Sequence, residues 1–256
     1  MTECAFNDDN RVVLRITGAD AGDLLQDLVT NNLDRLEEGK LLYSALLTPQ
    51  GKYLFDFFIT LDGDALLMEV VKGRAPALAQ RLMMYRLRRE MAIEATDLTV
   101  SLHWGEGEAP VGAMADPRSN ALGWRLYGAP IEATANRASY DALRIAVMAP
   151  ETGVELIADD SYILEMGFER LNGVDFKKGC YVGQEVTARM KHKTELRKGL
   201  AVVEVSGDAS PGDTIDAGGK AAGALHTIAG SKALAYLRFD RAVGEMTAGD
   251  AKVRRV

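Results

Sequence analysis

The alternation of apolar and polar residues divides the chain into a mixed helix-and-strand portion and a strand-rich tail. Arg11-Val-Val-Leu-Arg-Ile16 reads as a strand. Leu24, Leu25, Leu28 and Val29 then recur at helical spacing behind Thr17-Gly-Ala-Asp20, a capping-box-like start with Thr17 as the cap. Leu41–Leu47 is a second strand, ended by the turn Thr48-Pro-Gln-Gly51. Tyr53–Thr60 and Ala65–Val71 flank Asp62-Gly63, a strong hairpin signal. The spacing of Leu78, Leu82, Tyr85 and Met91 predicts a helix over about 74–89, with short strands near 91–95 and 98–104. Gly123–Tyr127 reads as a strand, and a helix over about 131–147 carries Tyr140, Leu143 and Val147 on one face.

From Gly199 onward the pattern changes to short apolar strands punctuated by Gly and Pro: Leu200–Val205, Thr214–Asp216, Ala221–His226 and Ala233–Phe239. That spacing fits a small antiparallel barrel or sandwich. The fold class is therefore α+β. The expected division is a discontinuous α+β domain over 1–50 and 97–195, an inserted α+β subdomain over 51–96, and a β-barrel domain over 196–256.

At 256 residues the chain can bury a core without disulfides or metals. Its net charge of −7 argues against a general nucleic-acid binder, whose footprint is a basic surplus. No apolar run approaches the roughly 18 residues of a membrane span, and the acidic start lacks the basic character of a leader. A reducing cytoplasm is expected. Cys4 and Cys180 cannot make a disulfide framework, and a four-ligand metal site would need nearly all of them plus His103, His192 and His226. No metal site is expected. His103 and His226 read as hydrogen-bonded core or rim histidines, and His192 as exposed.

The charge is uneven. Lys72, Arg74, Arg81, Arg86, Arg88 and Arg89 against Glu90 form one basic island, which reads as a solvated helix face. Lys177, Lys178, Arg189, Lys191, Lys193, Arg197 and Lys198 against Glu185 and Glu195 form another. In the second, Val174–Phe176 is expected as a short strand and Val182–Met190 as a helix bearing a Glu185–Arg189 pair. Gly179 and Gly183 allow tight backbone geometry around Cys180, in a turn just ahead of the helix N-terminus and beside two lysines. Positive potential there favours the thiolate, the reactive form. The competing reading is a small buried hydrophobe, the common fate of a free cysteine. Pairing with His192 as a nucleophile has no signature behind it, and Cys4 is taken as incidental.

Lys178-Gly-Cys-Tyr-Val-Gly-Gln-Glu185 resembles the KGCYxGQE signature of the YgfZ family of tetrahydrofolate-binding, iron–sulfur maturation proteins, relatives of the glycine-cleavage (GcvT) aminomethyltransferase. Arg11–Asn32, Leu46-Leu-Thr-Pro-Gln-Gly-Lys52, Asp116-Pro-Arg118, Tyr140-Asp-Ala-Leu-Arg-Ile145 and Ala233-Leu-Ala-Tyr-Leu-Arg238 resemble other blocks of that family, so the likeness covers nearly the whole chain. It implies a GcvT/YgfZ-like three-domain ring whose central hole holds the pterin of tetrahydrofolate, the discontinuous domain being the folate-binding one. Aminomethyltransferases carry a GGxxDD-like stretch; here Gly51-Lys-Tyr-Leu-Phe-Asp56 keeps one acid. Asp56 therefore either binds something or is an edge-strand residue facing water. A pterin-gripping Glu of the transferases is Ala146 here, and Met148 stands near where relatives often have Gly.

The resemblance thus implies a folate-binding accessory protein for assembly or repair of iron–sulfur clusters in client enzymes, with no direct nucleic-acid or membrane partner. Lys178 and Cys180 are its functional pair. Asp56, Arg144, Lys178, Gly179, Cys180, Tyr181, Gly183, Gln184 and Glu185 are its folate-side residues. The basic islands suit the anionic glutamate tail of folate. A single cysteine cannot hold a cluster alone, so any cluster contact is transient or shared with a client. The alternatives are a folate-dependent one-carbon transferase and a folate-binding module linked to tRNA modification.

Overall fold

The computed structural model describes residues 3–193 and 195–256. An antiparallel sheet of five strands runs in the order Leu42–Leu47, Tyr53–Asp62, Ala65–Val71, Arg11–Thr17, Ala92–Ala95. Helices α1 (Ala21–Leu28) and α2 (Ala75–Arg86) lie on one face, burying Leu24, Leu25, Leu28, Leu78 and Leu82 with Leu46, Phe57 and Ile59. The other face presents Val13, Tyr43, Tyr53 and Phe58 to a second core with Val100, Leu102 and Tyr140. That core is shared with a four-stranded sheet ordered Cys4–Asn7, Thr99–Trp104, Trp124–Gly128, Met114–Ala115, and with helix α3 (Arg137–Ala146). Strand Tyr53–Asp62 is covered on both faces, which is why it reads as one apolar run.

Residues from 198 onward close a six-stranded antiparallel barrel around Val203, Ile215, Leu225 and Leu237. Two of its strands, Met246–Ala248 and Ala251–Arg255, have no clear period in the sequence. They pair with each other and with Ile215 and Val203, removing the free edge that an open sheet would present.

Several local expectations are corrected. Thr17 is not a helix cap but the last residue of its strand, paired with Ala92. Gly18 follows at φ 114, where a Cβ would lie 2.3 Å from the Glu90 carbonyl oxygen, so the chain must turn before α1 begins. α3 starts at Arg137 because Ile131, Thr134 and Ala135 are hydrogen-bonded to Ala5 and Asn7 of the edge strand; Asn136 then caps the helix through Ser139 N. Val174–Phe176 is no strand. Asp175 N donates to Thr30 O while Asp175 Oδ1 accepts from Lys177 N, so side-chain bonding holds an irregular turn. Met148 takes φ 48, the left-handed region where a glycine is favoured. The five-stranded sheet draws Leu42–Leu47 and Arg11–Thr17 together with strands from 51–96, across the boundary expected at residue 50.

Candidate functional site

The signature turn is held by the residues that follow α1. Thr30 Oγ1 donates to Gly173 O at 2.7 Å, and Asn31 Nδ2 donates to Asn172 O at 2.7 Å and Tyr43 O at 2.8 Å. Arg35 reaches Asp175 at 3.1 Å. Lys178 then directs its ammonium back under α1, donating to Gln26 O at 2.6 Å and Val29 O at 2.5 Å. Carbonyls at a helix C-terminus lack intrahelical partners and sit at the negative end of the dipole, so a cation there is favourable. Burial lowers the Lys178 pKa to about 8, against the opposing pull of Asp27, Asp175 and Asp34.

Gly179 follows at φ 99, and Cys180 is exposed, four residues ahead of α4 (Gln184–Lys193). The next residue, Tyr181, is buried in the core, which pushes its phenol up to about 12; the Lys178 ammonium lies 5.4 Å from its ring centroid. Gln184 Nε2 donates to Gly179 O at 2.7 Å, tying the helix start to the turn. α4 begins two residues later than expected because Gly183 takes φ 85. A Cβ on Gly183 would lie 2.6 Å from Thr48 O and 3.1 Å from the Cα of Gly51, so the Thr48–Gly51 turn and the signature are packed backbone to backbone. Glu185 and Arg189 are exposed and form no ion pair with each other; water solvates both on this open helix face. His192 is exposed, as expected, while the side chain of Lys193 lies outside the described residues.

Asp56 is neither at an edge nor facing water. It is buried on the interior strand Tyr53–Asp62, taking hydrogen bonds from Tyr43 OH on Oδ2 at 3.0 Å, and from Tyr53 OH at 2.8 Å and the Thr152 hydroxyl on Oδ1. Burial and the adjacent carboxylate raise both phenols well above their ordinary values, so they stay protonated and donate. Arg144 lies elsewhere. It is buried in the seam between α3 and the barrel, donating to Asp141 Oδ1 at 2.9 Å, Ala149 O at 2.9 Å, Glu155 Oε2 at 3.3 Å and Thr227 Oγ1 at 3.1 Å. Ala146, the last residue of α3, is exposed and supplies no carboxylate.

A layer of ionised groups between the two sheets was not anticipated. Arg125 stands 3.9 Å, Arg118 4.9 Å and Arg11 5.6 Å from the ring centroid of Phe58. Glu69 accepts from Arg11 and Arg125 at 2.6 Å each, and Asp116 from Arg118 at 2.8 Å and Arg125 at 3.0 Å. Burial would raise the pKa of Glu69, but Arg125 and Arg11 outweigh it and lower it. Arg11 Nη2 and Glu151 Oε1 are buried there without a hydrogen-bond partner. The available signal was an ionisable residue inside an otherwise apolar strand, as with Glu69 in Leu-Leu-Met-Glu-Val-Val. His103 hydrogen-bonds Ser101 Oγ at 2.9 Å, and burial lowers the pKa of both His103 and His226.

The tetrahydrofolate implied by the resemblance can be tested against these residues. Asp56 fits in chemical type: Oδ2 takes one donor and retains capacity for a ligand N–H. Arg144 does not fit, because each of its nitrogens already has a protein acceptor. A cavity of about 600 Å³ is lined by His103, Trp104, Trp124 and Thr134, and one of about 630 Å³ by Glu204, Met246 and Arg254 on the barrel; neither includes Asp56 or the signature.

Residues 197–256 match the family model described as the CAF17 C-terminal beta-barrel domain. The chain is 29% identical to the mouse mitochondrial iron-sulfur cluster assembly factor IBA57, over 94% of this chain and 79% of that protein. It is equally identical, with the same coverage, to the human protein of that name. Against the Mycosarcoma maydis homologue it is 31% identical, over 74% of this chain and 54% of that protein, so it spans about half the length of that fungal relative. Its fold is that of the glycine cleavage system aminomethyltransferase T of Bartonella henselae, with a TM-score of 0.74 at 16% identity over 99% of this chain and 84% of that one. The closed barrel agrees with these likenesses: the chain is similar to IBA57-type iron-sulfur cluster assembly factors, and its fold is GcvT-like, α+β with a C-terminal six-stranded antiparallel β-barrel.

Proposed function

We propose that this protein is an accessory factor for assembly or repair of iron–sulfur clusters in client enzymes, acting through the Cys180 thiol. The observation that carries the reading is the placement of Cys180: exposed, between the anchored side chains of Lys178 and Tyr181, inside the family signature. A thiol so presented loses its proton on ligating iron, as thiol ligands do. It offers one ligand, so the remaining ligands of the cluster, its cargo, come from a client or assembly protein. The names of the relatives support this assignment. A reducing compartment, the cytoplasm expected from the sequence, keeps such a thiol available.

Tetrahydrofolate is the proposed ligand of Asp56, whose Oδ2 would accept an N–H of the pterin edge. Bound there, it supplies a redox-active pterin; Tyr43 orients the carboxylate through Oδ2, and Tyr53 and Thr152 hold it through Oδ1. The test is paired. Cells carrying Cys180→Ala should lose activity of iron–sulfur enzymes under oxidative stress, and normal activity there would sink the thiol role. Calorimetric titration should show tetrahydrofolate binding that Asp56→Ala abolishes; no binding by the parent protein removes the folate.

A further inference from the structure

Sequence alone puts the Lys178 ammonium beside the Cys180 thiol, where it would hold negative charge on sulfur. The structure commits that ammonium to two backbone carbonyls at the end of α1, at 2.6 and 2.5 Å. We propose that Lys178 is a positioning residue: it clips the signature turn to the C-terminus of α1 and so fixes where Cys180 is presented, without activating the thiol. This rests on the reading of Cys180 as the functional thiol.

The backbone around the cysteine shows why a clip is needed. Gly179 takes φ 99, and nothing lies within 4 Å of where its Cβ would stand, so no packing holds the residue between Lys178 and Cys180. Cys180 is itself exposed. The last anchored side chain before the thiol is Lys178, and the first after it is the buried Tyr181. Without the lysine, Gly179 and the exposed cysteine would be held only from the C-terminal side, by the buried Tyr181 and the Gln184 Nε2 bond to Gly179 O, and conformational entropy would spread the thiol over more positions. The helix terminus supplies the complementary charge. The lysine's own field is meanwhile offset by Asp27, Asp34 and Asp175 and, at an exposed sulfur, screened by water.

The test uses the full chain in a Cys4→Ser background, so that Cys180 is the only thiol. In Lys178→Met, amide exchange over 26–31 and 176–183 should accelerate by about tenfold or more, while Lys178→Arg, which keeps a cation for the carbonyls, should recover most of the protection. The pH midpoint of Cys180 alkylation by iodoacetamide should stay within about 0.3 unit of the parent. A rise of about one unit in that midpoint overturns the proposal, whatever the exchange does, because it marks an electrostatic activator. Unchanged exchange in Lys178→Met overturns it too. If that variant does not fold, the parent decides: a slowly exchanging Nζ–H resonance from Lys178 supports the clip, and its absence overturns it. None of these measurements depends on cluster activity, so they stand apart from the test of Cys180 in cells.

Discussion

Gly183, at the start of α4, and Gly51, at the end of the Thr48–Gly51 turn, are in contact through bare backbone. A Cβ on Gly183 would fall 3.1 Å from the Cα of Gly51, and one on Gly51 would fall 2.8 Å from the Cβ of Val186. Both also hold positive φ, 85 and 74. Gly183→Ala and Gly51→Ala should therefore each lower stability by about 2 kcal/mol or more, combining backbone strain with a clash, against Thr48 O for Gly183 and against the Val186 side chain for Gly51. Gly179→Ala, strained but unobstructed, should cost only about 1 kcal/mol. Urea unfolding midpoints check the ranking.

Asp56 serves three hydroxyl donors in a buried setting. An amide in its place offers one acceptor oxygen and must point its NH₂ at a protonated phenol or at Thr152. Asp56→Asn should destabilise the fold by about 1–3 kcal/mol, read by the same unfolding assay, independently of any folate.

Arg144 joins α3 to the barrel strand Lys220–Ala229 through Thr227 and Glu155. Arg144→Met leaves Glu155 buried beside fewer donors, and a loss of about 3–5 kcal/mol is expected. Limited proteolysis should show the barrel loosening from α3 first.

Glu151 lies beside Arg144, Arg137 and Arg11. Burial would raise its pKa, but these cations prevail and hold it at about 2, below the ordinary 4.5. A carboxyl with a depressed folded pKa contributes its full stability above about pH 4.5, and loses that contribution as pH falls through about 2. Glu151→Gln should flatten the acid limb of the stability profile across that window. An unchanged limb in thermal melts between pH 5 and pH 2 would contradict the assignment.

Cys180→Ala removes an exposed side chain with no packing role. The change in stability should stay within about 0.5 kcal/mol by urea unfolding, so that a defect in cells reports lost chemistry and not lost protein.

Much of this architecture is legible in the sequence. The hairpin around Asp62-Gly63, the strand-rich tail from Gly199 and the apolar positions of α1 follow from local periodicity and turn chemistry, which act over a few residues. Errors arose where a distant partner overrode the local pattern. Ile131, Thr134 and Ala135 are drawn out of a helix by the edge strand at Ala5 and Asn7, and Thr17 is drawn into a strand by Ala92. No window around 131 or 17 contains that information.

The candidate site divides in the same way. The sequence by itself determined the family signature, the glycines that permit its turn and a cysteine set among basic residues, because all of these are contiguous. Only the tertiary structure decided what the charged groups do. Lys178 turns from Cys180 to carbonyls that precede it by about 150 residues, Asp56 meets a hydroxyl from Thr152, and Arg144 is consumed by a barrel strand. A buried charge takes whichever partner the packing of remote segments brings within about 3 Å, since leaving it unpaired is far costlier than any local preference.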